Sequence, residues 1–505
     1  MTLLLIPLDD RPVTSILPAS VAKIAGINVL TPPRTLMGSL QYPAQVDSLS
    51  SWIQAALEKA KPHVVLLGLD SIVYGGLISS RQTTDDLRTL EKRLAQLKKW
   101  KALAGSQLKI YAQSSIMRIS DNYDNTEEKD YWSRFGRELF AWSALLYRKS
   151  KGLAITPGTL ESLEAKIPLS VRDDYLKTRF RNFRINQNIV ELVKDKVIDK
   201  LVISLDDSGS EGLNVLEKEK LINLAHTSGC DDRIFCYPGA DEVLSTMIGA
   251  WLVEQLHLRG QRISTQVVFR PDSAQNCLSR YEGQTLGETV QGQLRALGVT
   301  HSLYTGEGSM DDIDFVTLIH GANMQGDHIW LPNCPDMRNV DTTVQVRETL
   351  ALLEELNKPI VLCDVAYANG SDPLLMQELL LRPHIISKLV GYAGWNTAGN
   401  TIGSALAMGV ARVFAKKAQT DSAASYRFFQ QSLFTRFLDD WAYQSNVRAK
   451  LNTEASVEKL GILMSPLVKS ISTSMRFEPG PVRVSFPWRR VFELEVCFED
   501  RQPVS

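Results

Sequence analysis

Two adjacent carboxylates, Asp206 and Asp207, end a short apolar run, Leu201-Val202-Ile203-Ser204-Leu205, and lead directly into Ser208-Gly209. Neighbouring acids at the C-terminal edge of a strand can titrate apart, bind a cation, or orient and stabilise a developing positive charge. A single Asp-Asp dipeptide more often caps a helix or faces solvent. Recurrence sets this one apart, because the layout of apolar run, polar residue, then glycine or proline returns along the chain. Leu3 to Leu8 ends in Asp9-Asp10-Arg11-Pro12, and Val64 to Leu69 ends in Asp70 before Tyr74-Gly75-Gly76. Lys109 to Ser115 exits into Met117-Arg118, and Ile234 to Tyr237 into Pro238-Gly239-Ala240-Asp241-Glu242. Phe315 to His320 is followed by Asn323 and Asp327, Ile360 to Cys363 by Asp364 and Asn369, and Leu389 to Tyr392 by Trp395, Asn396 and Asn400. Polar and acidic groups therefore gather at one end of the strands.

That inventory suits carbohydrate chemistry. A sugar site commonly needs two carboxyl groups with separated pKa values, plus amide and aromatic groups to hold hydroxyls and ring faces. Asp206 and Asp207 are the expected catalytic pair. Asp9, Asp10, Arg11, Asp70, Tyr74, Arg118, Asp241, Glu242, Asn323, Asp327, Asp364, Asn369, Trp395, Asn396 and Asn400 are the expected substrate holders. Simpler readings stand beside several of these. Asp241 and Glu242 begin a strong helix, where acids favour the free amides and the dipole, and Trp395 and Asn396 can equally close the floor of the fold by packing.

The elements that must position these groups alternate strand and helix without long polar linkers, which argues for α/β architecture with a mostly parallel sheet. About nine apolar runs predict a (β/α)8-like barrel with one strand to spare; two Rossmann-like halves, roughly 1–200 and 200–415, give the same local pattern. The catalytic domain is expected over 1–415, interrupted at 121–196 by a helical insertion that serves as a lid or as a surface for homo-oligomerisation. Residues 416–505, a long aromatic helix, another helix and a hairpin, are expected to form an accessory region with little chemistry of its own.

Composition narrows the function classes. With 56 basic and 57 acidic residues in 505, the chain has no electrostatic footprint for nucleic acid. The start, MTLLLIPLDDRP, lacks the basic region and length of an export signal, and no stretch approaches the roughly 20 apolar residues of a membrane span. None of the six cysteines forms a CxxC pair, so reduced thiols in a cytoplasmic protein are expected, with a small molecule or oligosaccharide as partner and no cofactor. Neither GxGxxG after the first strand nor GxxxxGK[ST] nor GxSxG occurs, which disfavours nucleotide binding and a serine hydrolase. His320 and His328 alone lie at strand exits, without zinc-type spacing, and His320 reads equally as a satisfied core residue. A hard divalent cation held by Asp9, Asp70, Asp207 or Asp364 is the main alternative chemistry, and a non-catalytic sugar-binding protein the alternative in another class.

Seven motifs, PLDDRPVT at 7–14, LDSIVYGGLISSR at 69–81, SSIMR at 114–118, SLDDSG at 204–209, PGADE at 238–242, DVAYANGSD at 364–372 and GYAGWNTAGNTIGSALA at 391–407, together resemble the bacterial family known as domain of unknown function 4127. The resemblance runs to about residue 415 and implies no established activity or catalytic residues. SLDDSG also resembles the paired-Asp strand end of glycosidases that use the substrate's acetamido group, a fold-level analogy that implies action on N-acetylated sugars.

Overall fold

The computed structural model describes residues 1–105, 107–205, 208–304, 312–330, 335–451 and 456–499. Its long strands form two open parallel sheets, of six and five strands, rather than the closed barrel expected from the sequence. Closure fails at the first strand. Thr2–Ile6 (β1) takes Asn28–Leu30 (β2) on one side and Val64–Gly68 (β3) on the other, so the three-residue β2 occupies the edge a barrel would need.

Contacts divide the chain into two compact units. The first comprises Met1–Asp10, Asn28–Leu244 and Tyr281–Gln284. To β1–β3 it adds Lys109–Ile116 (β4), Lys200–Leu205 (β5) and Ile234–Pro238 (β6), in the order β2-β1-β3-β4-β5-β6. Strands β1, β3 and β5 are rich in Leu, Val and Ile, and with the more polar β4 they are buried along almost their whole length, as a parallel sheet covered on both faces requires. Leu4, Ile6, Leu67, Ile110 and Ile203 lead one apolar core. The order reverses direction between β1 and β3, and such a switch point opens a crevice beyond the carboxyl ends of the two strands.

A helical insertion lies between β4 and β5. Its helices Trp132–Ser150 and Thr159–Lys166 and the start of Leu169–Lys194 share a small core around Trp132, Leu139, Trp142 and Tyr175. Further along the same long helix, Ile185, Ile189, Val190 and Val193 join the core of the sheet. Ser143 Oγ accepts the amide of Leu213 (2.7 Å) and Arg148 pairs with Glu211 (2.7 Å), tying the insertion to the loop that leaves β5.

The second unit comprises Arg11–Ile27, Ser245–Arg280 and Thr285–Ser505. Its sheet contains Ser264–Arg270 (β7), Thr300–Leu303 (β8) and Phe315–His320 (β9). After the two-residue strand Gly326–Asp327 (β10) come Ile360–Asp364 (β11), the short Tyr367–Ala368 (β12), which pairs with β10, and Leu389–Ala393 (β13). The large sheet runs β13-β11-β9-β7-β8. Numbered one to five along the chain and read from the β8 edge, these strands run second, first, third, fourth, fifth, the order of the first five strands of the other sheet. The glycine-rich stretch after β13 is mainly a packing device. A Cβ on Gly391 would fall 2.3 Å from Ala405 O, and one on Gly409 would fall 2.3 Å from Val361 Cγ2, so these glycines seat the helix Ala398–Lys417 directly on β13 and β11.

The C-terminal stretch expected as an accessory region falls, in this division, within the second unit. It comprises the helix Ala423–Arg436, a π-helical segment Phe437–Val447, the helix Val457–Met475, and the antiparallel pair Val482–Ser485 (β14) and Glu495–Phe498 (β15). Among the described residues no helix is long and apolar enough to cross a membrane.

Candidate functional site: two sheet edges

In the first unit the motifs around Asp9 and Asp70 interlock at the switch point. Gly68 ends β3 where a Cβ would press to within 2.9 Å of the Leu8 backbone, so only glycine lets the two exits run this close. Ser71, on the short helix Leu69–Val73, donates its hydroxyl to Leu8 O (2.7 Å), and the amide of Asp10 donates to Gly38 O (3.0 Å). Asp70 is buried in the first turn of that helix. One carboxyl oxygen accepts the amide of Ser115 at the end of β4 (3.2 Å), while the other is buried with no protein partner. Burial pushes Asp70 up from 3.8 to about 7, against the Ser115 bonds and the charge of Arg81. The neighbouring phenol of Tyr74 is pushed well above its ordinary value by burial and then by the charge of Asp70.

Other expected holders line the same strand ends. Asp9 is buried, and the half-exposed Arg34 pairs with Asp10 (3.2 Å). Arg118 is claimed by the insertion, lying 2.8 Å from Glu128 and 3.2 Å from Glu127, with Arg81 on the same two acids at 3.4 and 3.3 Å. Asp241 and Glu242 at the end of β6 are both buried, and Glu242 is pushed well above the carboxylate range by burial, then by the charges of Asp241 and Glu282. Glu282 arrives on the segment 281–284, where Tyr281 O accepts the amide of Ser208 just after β5 (2.9 Å). Asp206 and Asp207 themselves lie outside the described residues.

The second unit carries Arg11, Asn323, Asp327, Asp364, Asn369, Trp395, Asn396 and Asn400. Asp364 ends β11 with its Oδ2 accepting the amide of Asp372 (2.8 Å) and the hydroxyl of Tyr392 (3.4 Å). Burial pushes it to about 7, eased by His320 and worsened by the charge of Asp372. His320 is a satisfied core residue, with Nδ1 on Thr349 Oγ1 (2.8 Å) and Nε2 on Asp372 Oδ2 (3.1 Å). Asp372 uses its other oxygen to cap the helix Pro373–Leu380. Asp327 is buried between Arg280 (3.0 Å) and Asn369 (2.9 Å), while Asn323 accepts the hydroxyl of Ser273 (2.9 Å). Trp395 is buried with its ring edge-on to Phe492, and Asn396 gives its carbonyl to the amide of Asn369 (2.8 Å). Asn400 is buried in the first turn of the helix Ala398–Lys417, and Arg11 pairs with Glu493 (3.3 Å).

A second acid pair escaped the sequence reading. Asp439 and Asp440, on the π-helical segment, are buried and raised by burial, held down chiefly by Arg436, whose guanidinium reaches both at 3.4 and 3.3 Å. Asp440 also accepts the amide of Gly394 just beyond β13 (2.8 Å). Wide π-helical turns concentrate at functional sites. The signal was present in the letters: Leu-Asp-Asp occurs at 8–10, 205–207 and 438–440. Among the described residues no three His, Cys, Asp or Glu side chains converge in a way that could hold a metal ion.

The profile of one protein family matches residues 3–497. The chain belongs to that family, described as protein of unknown function DUF4127. The match extends past the end of the seven motifs and covers the π-helical acid pair and most of the C-terminal hairpin, so a description of the family's chemistry must account for both sheets. No curated protein and no solved structure matches the chain.

Proposed function

We propose that the chain is a glycoside hydrolase or related carbohydrate-active enzyme working at the C-terminal edge of the six-stranded sheet. Asp70 is the proton-bearing acid, and Asp206 and Asp207 supply the ionised carboxylate. The observation that supports this is Asp70, a carboxyl held near pH 7 beside the switch point with one oxygen unspoken for. Two carboxyl groups whose environments drive their pKa values apart are what acid-assisted cleavage of a glycosidic bond requires. The leaving oxygen takes the proton from the raised acid while the ionised partner stabilises the developing positive charge at the anomeric carbon. Adjacent acids at one strand end also suit orientation of an N-acetyl group, so N-acetylated sugars belong in the test. A chromogenic glycoside panel should reveal a substrate whose kcat/KM falls at least about 100-fold in both Asp207→Asn and Asp70→Asn. Unchanged turnover in folded Asp207→Asn ends the proposal.

A further inference from the structure

The second unit encloses a cavity of about 350 Å3 between the helices Ile16–Ile24 and Ala423–Arg436, the turn after β13 and the C-terminal hairpin. Small-molecule sites occupy roughly 300–1,000 Å3, so this one has room for a compact ligand. Buried Trp395, Arg436, Asp439 and Glu493 line it, as do Val13 and Leu17, and the exposed Lys23 and Ile16 mark its mouth.

Two features indicate what would fill it. The buried charges are already matched, since Arg436 lies between Asp439 and Asp440, and Glu493 takes Arg11 at 3.3 Å and Arg490 at 3.1 Å. A charged ligand would leave one charge buried without a counterpart, which is strongly unfavourable. The matching is loose, however. Asp439 is reached only by long contacts, 3.4 Å from Arg436 and 3.3 Å from Gln444, and the Nε of Arg436 is buried with no protein partner. A guanidinium N–H seeking an acceptor stands beside a carboxylate with acceptor capacity to spare, next to an indole and aliphatic walls. Hydroxyl groups both accept and donate, and the C–H face of a sugar ring packs on such walls.

We infer that this cavity binds a neutral saccharide of one or two rings. The site is independent of the hydrolase reading, which rests on the first unit. Titration calorimetry on the full chain with glucose, galactose, mannose, xylose, N-acetylglucosamine, maltose and cellobiose should give saturable one-to-one binding for at least one. Leu17→Trp, which fills the cavity, should weaken that binding at least tenfold, as should Arg436→Lys, which keeps the charge but withdraws the Nε donor. If Leu17→Trp does not fold, Gln431→Trp fills the same space from the other helix. The same sugar should bind Asp70→Asn and Asp207→Asn as it binds wild type. Absence of saturable binding across the panel overturns the inference, and so does undiminished binding by a folded cavity-filling variant. Loss of binding in Asp70→Asn alone would assign the sugar to the other sheet and equally overturn it.

Discussion

Replacing Asp70 by Asn should change how stability depends on pH, and the sign and size follow from its burial. In the folded chain the carboxyl keeps its proton to about pH 7; once unfolded it should lose it near the ordinary 3.8. Between those values the native state holds a proton that the unfolded state has shed, so stability falls as pH rises. The contribution of the neutral acid is complete below about 3.8 and gone above about 7. The separation is about three pH units at about 1.4 kcal/mol each, so wild type should lose up to about 4 kcal/mol relative to Asp70→Asn across the window. Asn carries no such titration, and the other carboxyls cancel in the comparison. Urea unfolding of both proteins at half-unit steps from pH 4.5 to 8, followed by near-ultraviolet dichroism, measures it. Wild type should hold its own at the acid end and trail the variant at pH 8. A difference between the two that does not vary with pH would refute the argument that a buried, proton-bearing Asp70 sits at the switch point.

Three further outcomes follow from the packing. Arg436→Met strips the cation from two buried acids and should cost about 3–5 kcal/mol, read as a large drop in melting temperature that Asp439→Asn in the same chain partly restores. Gly391→Ala drives a methyl into Ala405 O and should cost about 1–3 kcal/mol, whereas Gly461→Ala, inside the helix Val457–Met475 with open space around it, should stabilise by roughly 0.5–1 kcal/mol; melting curves separate them. Glu128→Gln should loosen the grip on Arg81 and Arg118 and speed limited proteolysis within 121–131, while an unchanged cleavage pattern would show that the acid does not anchor the insertion.

Much of this architecture is written in local pattern. Runs such as Val64–Gly68 and Ile360–Asp364 carry the unbroken apolar signature of doubly covered strands, and these two carry an acid at the exit because buried strands end where polar groups can again be accommodated. Strand neighbours are not local. Nothing in Thr300–Leu303, whose THSL is largely exposed, distinguishes an edge strand from a loop, yet that strand and the three residues of β2 decide that the sheets are open. The candidate site was legible in the same proportion. Asp70 reads from the sequence only as a holder, because sequence shows its position but not the burial that raises its carboxyl. Asp439 and Asp440 fall in a stretch that reads as an aromatic packing helix, and the sequence shows neither its π-helical turns nor the burial of the two acids. Trp395 reads from the sequence equally as a sugar holder or as packing, since its neighbours Gly394 and Ala398 fit a tightly packed turn as well as an open one.

The repeated strand order gives each sheet its own switch point, between β1 and β3 in one and between β7 and β9 in the other, and the two are furnished differently. At the second, the turn Asp272–Asn276 lies directly on the exit of β9: a Cβ on Gly321 would meet Ala274 Cβ at 2.9 Å, and the amide of Gly321 is spent on Arg270 O (2.8 Å). The raised acid of that sheet, Asp364, stands one strand further along, enclosed by Tyr392, Asp372 and the saturated His320. Asp70 stands in the first turn of the helix that leaves the switch-point strand β3. Two carboxyls pushed to about the same pH by burial should therefore differ in function. Asp364→Asn should reproduce the pH-dependent stability effect while leaving kcat/KM on the substrate identified with wild type within about threefold, because the proposed chemistry belongs to the first unit and Asp364 to the second. Parallel kinetics on Asp70→Asn and Asp364→Asn decide the matter, and equal losses in the two would remove the reason for placing the chemistry at the first sheet.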